Sequence, residues 1–335
     1  WAWGPIIDRY GLPAMGRRRP WIILAQVGMI ATAFSMAVVP SMSADIVLLG
    51  WMVFVHNVFI SLQDVSVDAL AVDLLREEER GRVSGLMYGS KYFGMFLGGG
   101  GLSWVLTRND FSTVFAVEIL ILFIILLFPL LIRERAGERL LPWSRGSSQL
   151  AIGEGLSDSV LTLFRRLIRA FSLRSTMVAA VIGLLLFIGS GALNPIFDVL
   201  MIQDLGWERS ELSAISGGYG IFLGLAGSML GGFLADLLGA RTIIAVGSLG
   251  TAGCYLGFGL MSPDVLGEGW FSWTNASLVV TYMLASGFLV SLTTVGLFSL
   301  YISLSWPVVA GTQFTAYMAI LNLSTTIGLW SSGSR

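Results

Sequence analysis

Charge is what this sequence has least of. Of its 335 residues only 12% are Asp, Glu, Lys or Arg, about half the share near 25% that a water-exposed domain needs. Most of the surface therefore faces something other than water. A single cysteine, Cys254, excludes an internal disulfide, and a single histidine, His56, excludes a cluster of histidines around a metal. The one lysine, Lys91, follows Ser90, so no G-x-x-x-x-G-K-[ST] loop exists to cradle a nucleotide. H-E-x-x-H and G-x-S-x-G are also missing, which removes the commonest hydrolase signals. No catalytic residue, metal or cofactor is expected, and the reading is of a protein that is not an enzyme. A net charge of −1 offers nothing to nucleic acid.

What is present is apolar. Hydrophobic residues make up 55% of the chain, with 41 Gly and 11 Trp, and the mean hydropathy is +0.79. Gly and interfacial Trp are enriched in membrane helices. A crossing helix needs about 20 apolar residues. Nine such stretches are expected, at residues 21–39, 46–75, 83–106, 111–132, 176–200, 212–238, 242–261, 276–304 and 307–330, after a partial one at 1–7. Opening at Trp1 inside an apolar run, and stopping at Arg335 without a membrane-exit pattern, the sequence reads as a fragment lacking the first helix and the last. The fold class is all-α: a polytopic membrane helix bundle.

The loops alternate in charge. One set holds Arg9, Arg17, Arg18, Arg19, Arg76, Arg80, Arg82, the arginines between 133 and 174, and Arg241; the other holds only Arg108 and Arg209. The arginine-rich side is cytoplasmic. One long connection, 133–175, lies on that side. Within it Val160, Phe164, Leu167, Ile168 and Phe171 share one helical face, and Arg165, Arg166 and Arg169 the other. This suits a helix lying in the membrane interface, or equally a solvated linker helix.

A motif recurs. Gly4-x-x-x-Asp8-x-x-Gly11 returns as Gly232-x-x-x-Asp236-x-x-Gly239, each leaving an apolar span for an arginine-bearing loop, with Arg17 and Arg18 after the first and Arg241 after the second. Two similar six-helix halves would place the copies this way. The organisation expected is residues 1–132 for an N-terminal half, 133–175 for the linker and 176–335 for a C-terminal half. Asp8 and Asp236 are expected to hold cytoplasmic ends together through charge-assisted bonds to arginines or helix ends.

These loops resemble the cytoplasmic signature of the major facilitator superfamily, whose members have twelve helices in two halves. A closer resemblance, to AmpG-type muropeptide permeases and the related acetyl-CoA transporters, rests on several stretches. They are Gln63-Asp64-Val65-x-x-Asp68-Ala69-x-x-x-Asp73, Glu78-Glu79-Arg80-Gly81, Gly94-Met95, Gly206-Trp207 and Thr312-Gln313-Phe314. In the seventh helix, where that family carries a lysine and an aspartate, this chain reads Gly189-Ser190-Gly191-Ala192-Leu193-Asn194-Pro195. The resemblance implies a secondary transporter for a small solute in a bacterial inner membrane. It would be proton-coupled and monomeric, with a muropeptide-like or other amphipathic, sugar-containing substrate; acetyl-CoA or another solute is the alternative.

Charges within the spans are the candidates for chemistry, because each costs about 2.5–3.5 kcal/mol to insert. At about 100° per residue, Asn57, Ser61, Asp64 and Asp68 fall in a stripe about 60° wide, facing a cavity or another helix. Asp73 points the other way, beside Arg76. Lys91 and Asp68 sit at similar depth, roughly 10–12 Å in, and are expected to pair, leaving Asp64 to carry a coupling proton. Glu118 reads as a lone acid and His56 as a weak candidate. Asn194, beside the kink expected at Pro195, and Gln313 are candidate cavity-lining residues. The glycine runs at Gly98–Gly101, Gly217-Gly218-x-Gly220 and Gly224–Gly231 read as close helix packing. A membrane sensor or scaffold that binds without transporting is the competing class; polar residues midway through several spans favour transport.

Overall fold

The computed structural model describes residues 2–11, 14–39, 45–144, 160–267 and 269–333. Fourteen α-helices follow one another among them, with no strand. They are α1 Trp3–Arg9, α2 Arg19–Val38, α3 Ile46–Leu74, α4 Arg80–Met95, α5 Leu102–Leu106, α6 Phe111–Leu131, α7 Val160–Phe171, α8 Arg174–Val199, α9 Arg209–Ala214, α10 Gly220–Leu238, α11 Ala240–Leu260, α12 Pro263–Leu266, α13 Ala276–Leu304 and α14 Ala310–Gly333. Of three π-helical segments, Phe96–Gly101 and Ile215–Tyr219 join consecutive helices and Leu200–Asp204 extends the end of α8.

Among the described residues seven helical runs are long and apolar enough to cross a membrane: Arg19–Val38, Ile46–Leu74, Phe111–Leu131, Arg174–Asp204, Arg209–Leu238, Ala240–Leu260 and Ala276–Leu304. Two further expected spans are helical but more polar. Arg80, Arg82 and Lys91 dilute the run through α4 and α5, and Gln313, Asn322 and several threonines dilute α14. The linker between 145 and 159, with Arg145, and residues 334–335 lie outside the described residues. The linker's helix is present as α7. It buries Leu163 and Ala170, while Phe164 and Ile168 stay exposed alongside Arg165 and Arg169.

The chain groups into two compact units that interleave along the sequence. The first comprises Trp1–Leu74, Leu102–Thr176 and Ser305–Met318. Within it α2 packs on both α3 and α6, around Ile7, Ala25, Leu62 and Ala69, with Trp3, Trp21 and Val65 against them. Asp110 starts α6, its carboxylate accepting from the Thr113 amide at 3.0 Å. Large apolar side chains such as Phe34, Phe54, Phe123 and Phe128 point outward, as lipid-facing helices require.

The second unit comprises Leu75–Gly101, Met177–Leu304 and Ala319–Arg335. Here α10 packs against α4 and α13, and α11 against α13. Lipid gives no hydrophobic drive to helix pairing, so close contact between backbones has to supply it. A Cβ on Gly85 would meet Ser228 O at 2.7 Å, and one on Gly231 would meet Leu292 Cα at 3.0 Å. Gly224–Gly231 therefore packs closely, as expected. Gly98–Gly101, Gly217 and Gly218 do not, since a Cβ there meets nothing within 4 Å. Those glycines instead lie in two of the π-helical segments, where side-chain-free residues let the helix widen by one residue per turn.

Candidate functional site

The motif's spacing explains itself once its partners are seen. Gly4 and Asp8 are four residues apart on α1 and so share a face. A Cβ on Gly4 would meet Thr312 Cα at 2.7 Å, so only glycine lets α1 approach the start of α14 this closely. That approach delivers Asp8. Its carboxylate accepts from the amides of Gly311 at 3.1 Å and Thr312 at 2.7 Å, and from the Thr312 hydroxyl at 2.7 Å. The first amides of a helix have no partner within the helix and carry its positive end, which is where an anion is stabilised.

Arginines complete this first copy, each with separate work. Arg18 bridges Asp8 at 2.8 Å and Asp73 at 2.8 Å, and all three are buried or nearly so. Asp73 therefore pairs with Arg18 rather than with Arg76, because α3 brings its end to the loop before α2. Arg17 donates to the carbonyls of Pro307 and Val308, just before α14, at 2.9 and 3.0 Å. Arg19 donates to the carbonyls of Leu130, Arg139 and Leu140, closing the end of α6. Burial opposes the Arg18 charge, but Asp8 and Asp73 outweigh it and raise its pKa above the ordinary value. At Arg17 burial, with Arg18 next to it, dominates and lowers the pKa. Glu134, passed over in the sequence, accepts from the amides of Arg18 and Arg19 at 2.9 and 3.1 Å. Arg9 lies outside this network, over the Tyr10 ring at 5.2 Å.

The second copy repeats the device on α4. Gly232 meets Gly81 and Gly85 backbone to backbone. Asp236 accepts from the amides of Gly81 at 2.6 Å and Arg82 at 2.9 Å, and from Arg82 Nε at 2.9 Å. Gly239 follows at φ 88°, a conformation glycine adopts without strain, and it turns the chain from α10 into α11. Arg241 is exposed. In both copies, then, the aspartate caps a helix distant in sequence. Each aspartate bonds both a helix start and an arginine, and in the second copy that arginine is Arg82 of α4 rather than Arg241 of its own loop.

The polar stripe on α3 is present. Asn57, Ser61 and Asp64 are exposed and Asp68 partly so. Ser61 accepts from Trp3 Nε1 at 3.1 Å, Asn57 donates to Val53 O on its own helix, and Asp64 makes no ion pair or hydrogen bond among the described residues. Lys91, on α4 in the other unit, lies 5.9 Å from the Tyr88 ring centre and 5.8 Å from that of Phe298. Beside it Tyr92 OH meets Ser291 Oγ at 2.6 Å. Asn194 is exposed on α8, which continues through Pro195.

Gln313 is fully buried, accepting from the Trp306 amide at 3.0 Å and donating to Tyr317 OH at 3.4 Å, so it caps the turn into α14. One expectation fails here: Glu118 is not alone, since its Oε1 lies 3.6 Å from His56 Nε2. His56 faces α2 and α6, away from the stripe.

The model of the Major Facilitator Superfamily matches residues 2–329. The chain belongs to that superfamily. It is similar to the anhydromuropeptide permease of Escherichia coli K12, with 21% identity over 252 residues, which is 74% of this chain and 48% of the permease. The chain spans about half the length of the curated relatives it matches. Among solved structures, the human organic anion transporter MFSD10 superposes with a TM-score of 0.71 at 14% identity, over 98% of this chain and 72% of that one. A bacterial homologue of the iron transporter ferroportin, in its outward-facing state, superposes at 0.60 and 17% identity, over 99% and 78%. These likenesses show the fold. With its membrane-crossing helices, the superfamily member is an integral, multi-pass membrane protein.

Proposed function

We propose that this protein is a proton-coupled secondary transporter of the inner membrane, moving a small amphipathic, sugar-containing solute of the muropeptide class. Membership of a transporter superfamily and the similarity to an anhydromuropeptide permease support the class. The observation that carries the coupling is Asp64, an exposed carboxylate within a membrane-crossing helix, set on a polar face with Asn57, Ser61 and Asp68. A carboxylate in a span is retained where it handles ions or protons. Asp64 is assigned the coupling proton, with Asp68 and Lys91 as the other charged groups of the path. The working unit is a monomer in the bilayer.

The test uses the full-length protein in liposomes, with radiolabelled anhydromuropeptide as the probe. Asp64→Asn should abolish accumulation driven by a pH gradient while exchange of labelled for unlabelled solute continues. Undiminished uphill accumulation in that variant overturns the assignment. Absence of exchange by the parent protein overturns the substrate class.

A further inference from the structure

The pairing of His56 with Glu118 joins residues 62 apart in sequence, on helices that each touch α2. Thr32, on α2, completes the group: its Oγ1 lies 2.7 Å from His56 Nδ1. Each lies within ~15 Å of one helix end. Counting about 1.5 Å per residue, Thr32 lies ~9 Å from the end of α2, His56 ~15 Å from the start of α3 and Glu118 ~10 Å from the start of α6. All three helix ends are those remote from the arginine-rich loops. His56 is buried, and Glu118 keeps 28% of its side chain exposed.

Satisfying the Thr32 hydroxyl on its own helix selects one tautomer of His56. The Thr32 hydroxyl lies 2.9 Å from both Gly28 O and Met29 O on its own helix, and its hydrogen goes there. Thr32 Oγ1 therefore accepts from His56, which puts a hydrogen on Nδ1. In a neutral ring that leaves Nε2 as a lone pair, aimed at Glu118. A lone pair facing an ionised carboxylate repels it. One proton between them removes the repulsion, as a carboxylic acid donating to Nε2 or as an imidazolium beside a carboxylate. Either arrangement is neutral overall, whereas the proton-free pair carries a net negative charge in surroundings that penalise it.

We propose that Thr32, His56 and Glu118 form a one-proton binding site inside the membrane, the proton held between His56 Nε2 and Glu118 Oε1. Binding moves a proton from water onto the pair and breaks no other bond. The partly exposed carboxylate is where the proton enters. Among the described residues no other charged group forms an ion pair with either side chain, and Asp45, Arg108 and Asp110 stand in the loops at the same helix ends. On α2 the only charged residue is Arg19, at the opposite end; α6 has only Glu118. On α3, Asp64 and Asp68 lie on another face and Asp73 is held by Arg18 at the far end, where Asp8 and Arg9 of α1 also lie. The site is thus separate from the Asp64 stripe, and a proton bound here is additional to the coupling proton.

His56 is the only histidine in these 335 residues, which gives a direct reading. The full-length protein is labelled with 15N-histidine, reconstituted in bilayers and followed by solid-state NMR from pH 9 to pH 5; His56→Gln assigns the ring signals by their loss. Nδ1 should carry a hydrogen throughout, and Nε2 should change from a bare to a proton-bonded signal as the pH falls. A neutral ring with its hydrogen on Nε2 overturns the proposal using the parent protein alone. In Glu118→Gln the proton-bonded population at the acid end should drop at least tenfold; an unchanged transition overturns it. Thr32→Val should transfer part of the neutral ring to the Nε2-hydrogen form. No solute is added, so these outcomes are independent of the transport reading.

Discussion

The two motif copies make the same contact in different surroundings. Asp8 is buried, held by two amides, a hydroxyl and Arg18, and Arg18 is tied in turn to a second buried carboxylate, Asp73. Asp236 accepts two amides and Arg82, whose side chain is 58% exposed. What the copies share is glycine for approach and aspartate for the helix start, so those two residues are the mechanism. What differs is the arginine: in the first copy it is a buried strut, in the second a solvated neighbour. The sequence pattern reports the shared part, and burial sets how much each contact resists being broken.

The largest difference between the copies should follow from removing Arg18. Arg18→Met strips the buried Asp73 of its ion pair and leaves Asp8 with only the Arg17 cation, at 3.6 Å. Breaking one partner of a buried network costs about 3–5 kcal/mol. Folded yield in detergent and the midpoint of thermal unfolding should both fall sharply. If the variant unfolds like the parent, the first copy is no strut and the contrast between the copies disappears.

Next come the glycines, where the copies should behave alike. Gly4→Ala pushes a methyl into Thr312, and Gly232→Ala pushes one into Gly81 and Gly85. Backbone atoms cannot rotate away, and overpacking of this kind costs about 1–3 kcal/mol. Gly253→Ala on α11, with nothing within 4 Å of its Cβ, is the control and should unfold like the parent. Equal behaviour of all three in thermal unfolding would remove close approach as the reason for the motif's first glycine.

The motif was legible in the sequence because a glycine and an aspartate four apart must share a helix face. Its targets were not, because Thr312 lies 304 residues from Asp8 and nothing local announces which helix start a carboxylate will find. Seven of the nine expected transmembrane runs were legible from apolar length alone. Glu118 read as a lone acid for a related reason: polar residues can be placed on their own helix from sequence, but the register between α2, α3 and α6 that sets His56 against it comes from packing. Gln313 read as cavity-lining because a polar residue in a span suggests one, and its bond to the Trp306 amide before α14 was not legible locally. The runs at Gly98–Gly101 and Gly217–Gly218 misled because glycine serves close packing and π-helical widening equally well, and composition does not distinguish them.

The smallest effect belongs to Arg82, and it tests the comparison from the other side. Its guanidinium lies 2.9 Å from Asp236, at ion-pair geometry as good as that of Arg18 with Asp73. Distance alone would rank the two equally. Water around an exposed arginine screens the attraction and would solvate either partner after separation, so exposed pairs contribute about 0–1 kcal/mol. Asp236 also keeps the Gly81 and Arg82 amides, which need no arginine side chain. Arg82→Gln should therefore lower the unfolding midpoint only slightly, and raising the salt concentration should narrow the gap between variant and parent further. An effect of Arg82→Gln as large as that of Arg18→Met, and indifferent to salt, would mean that the helix start on α4 depends on the ion pair. Burial would then no longer explain the difference between the two loops.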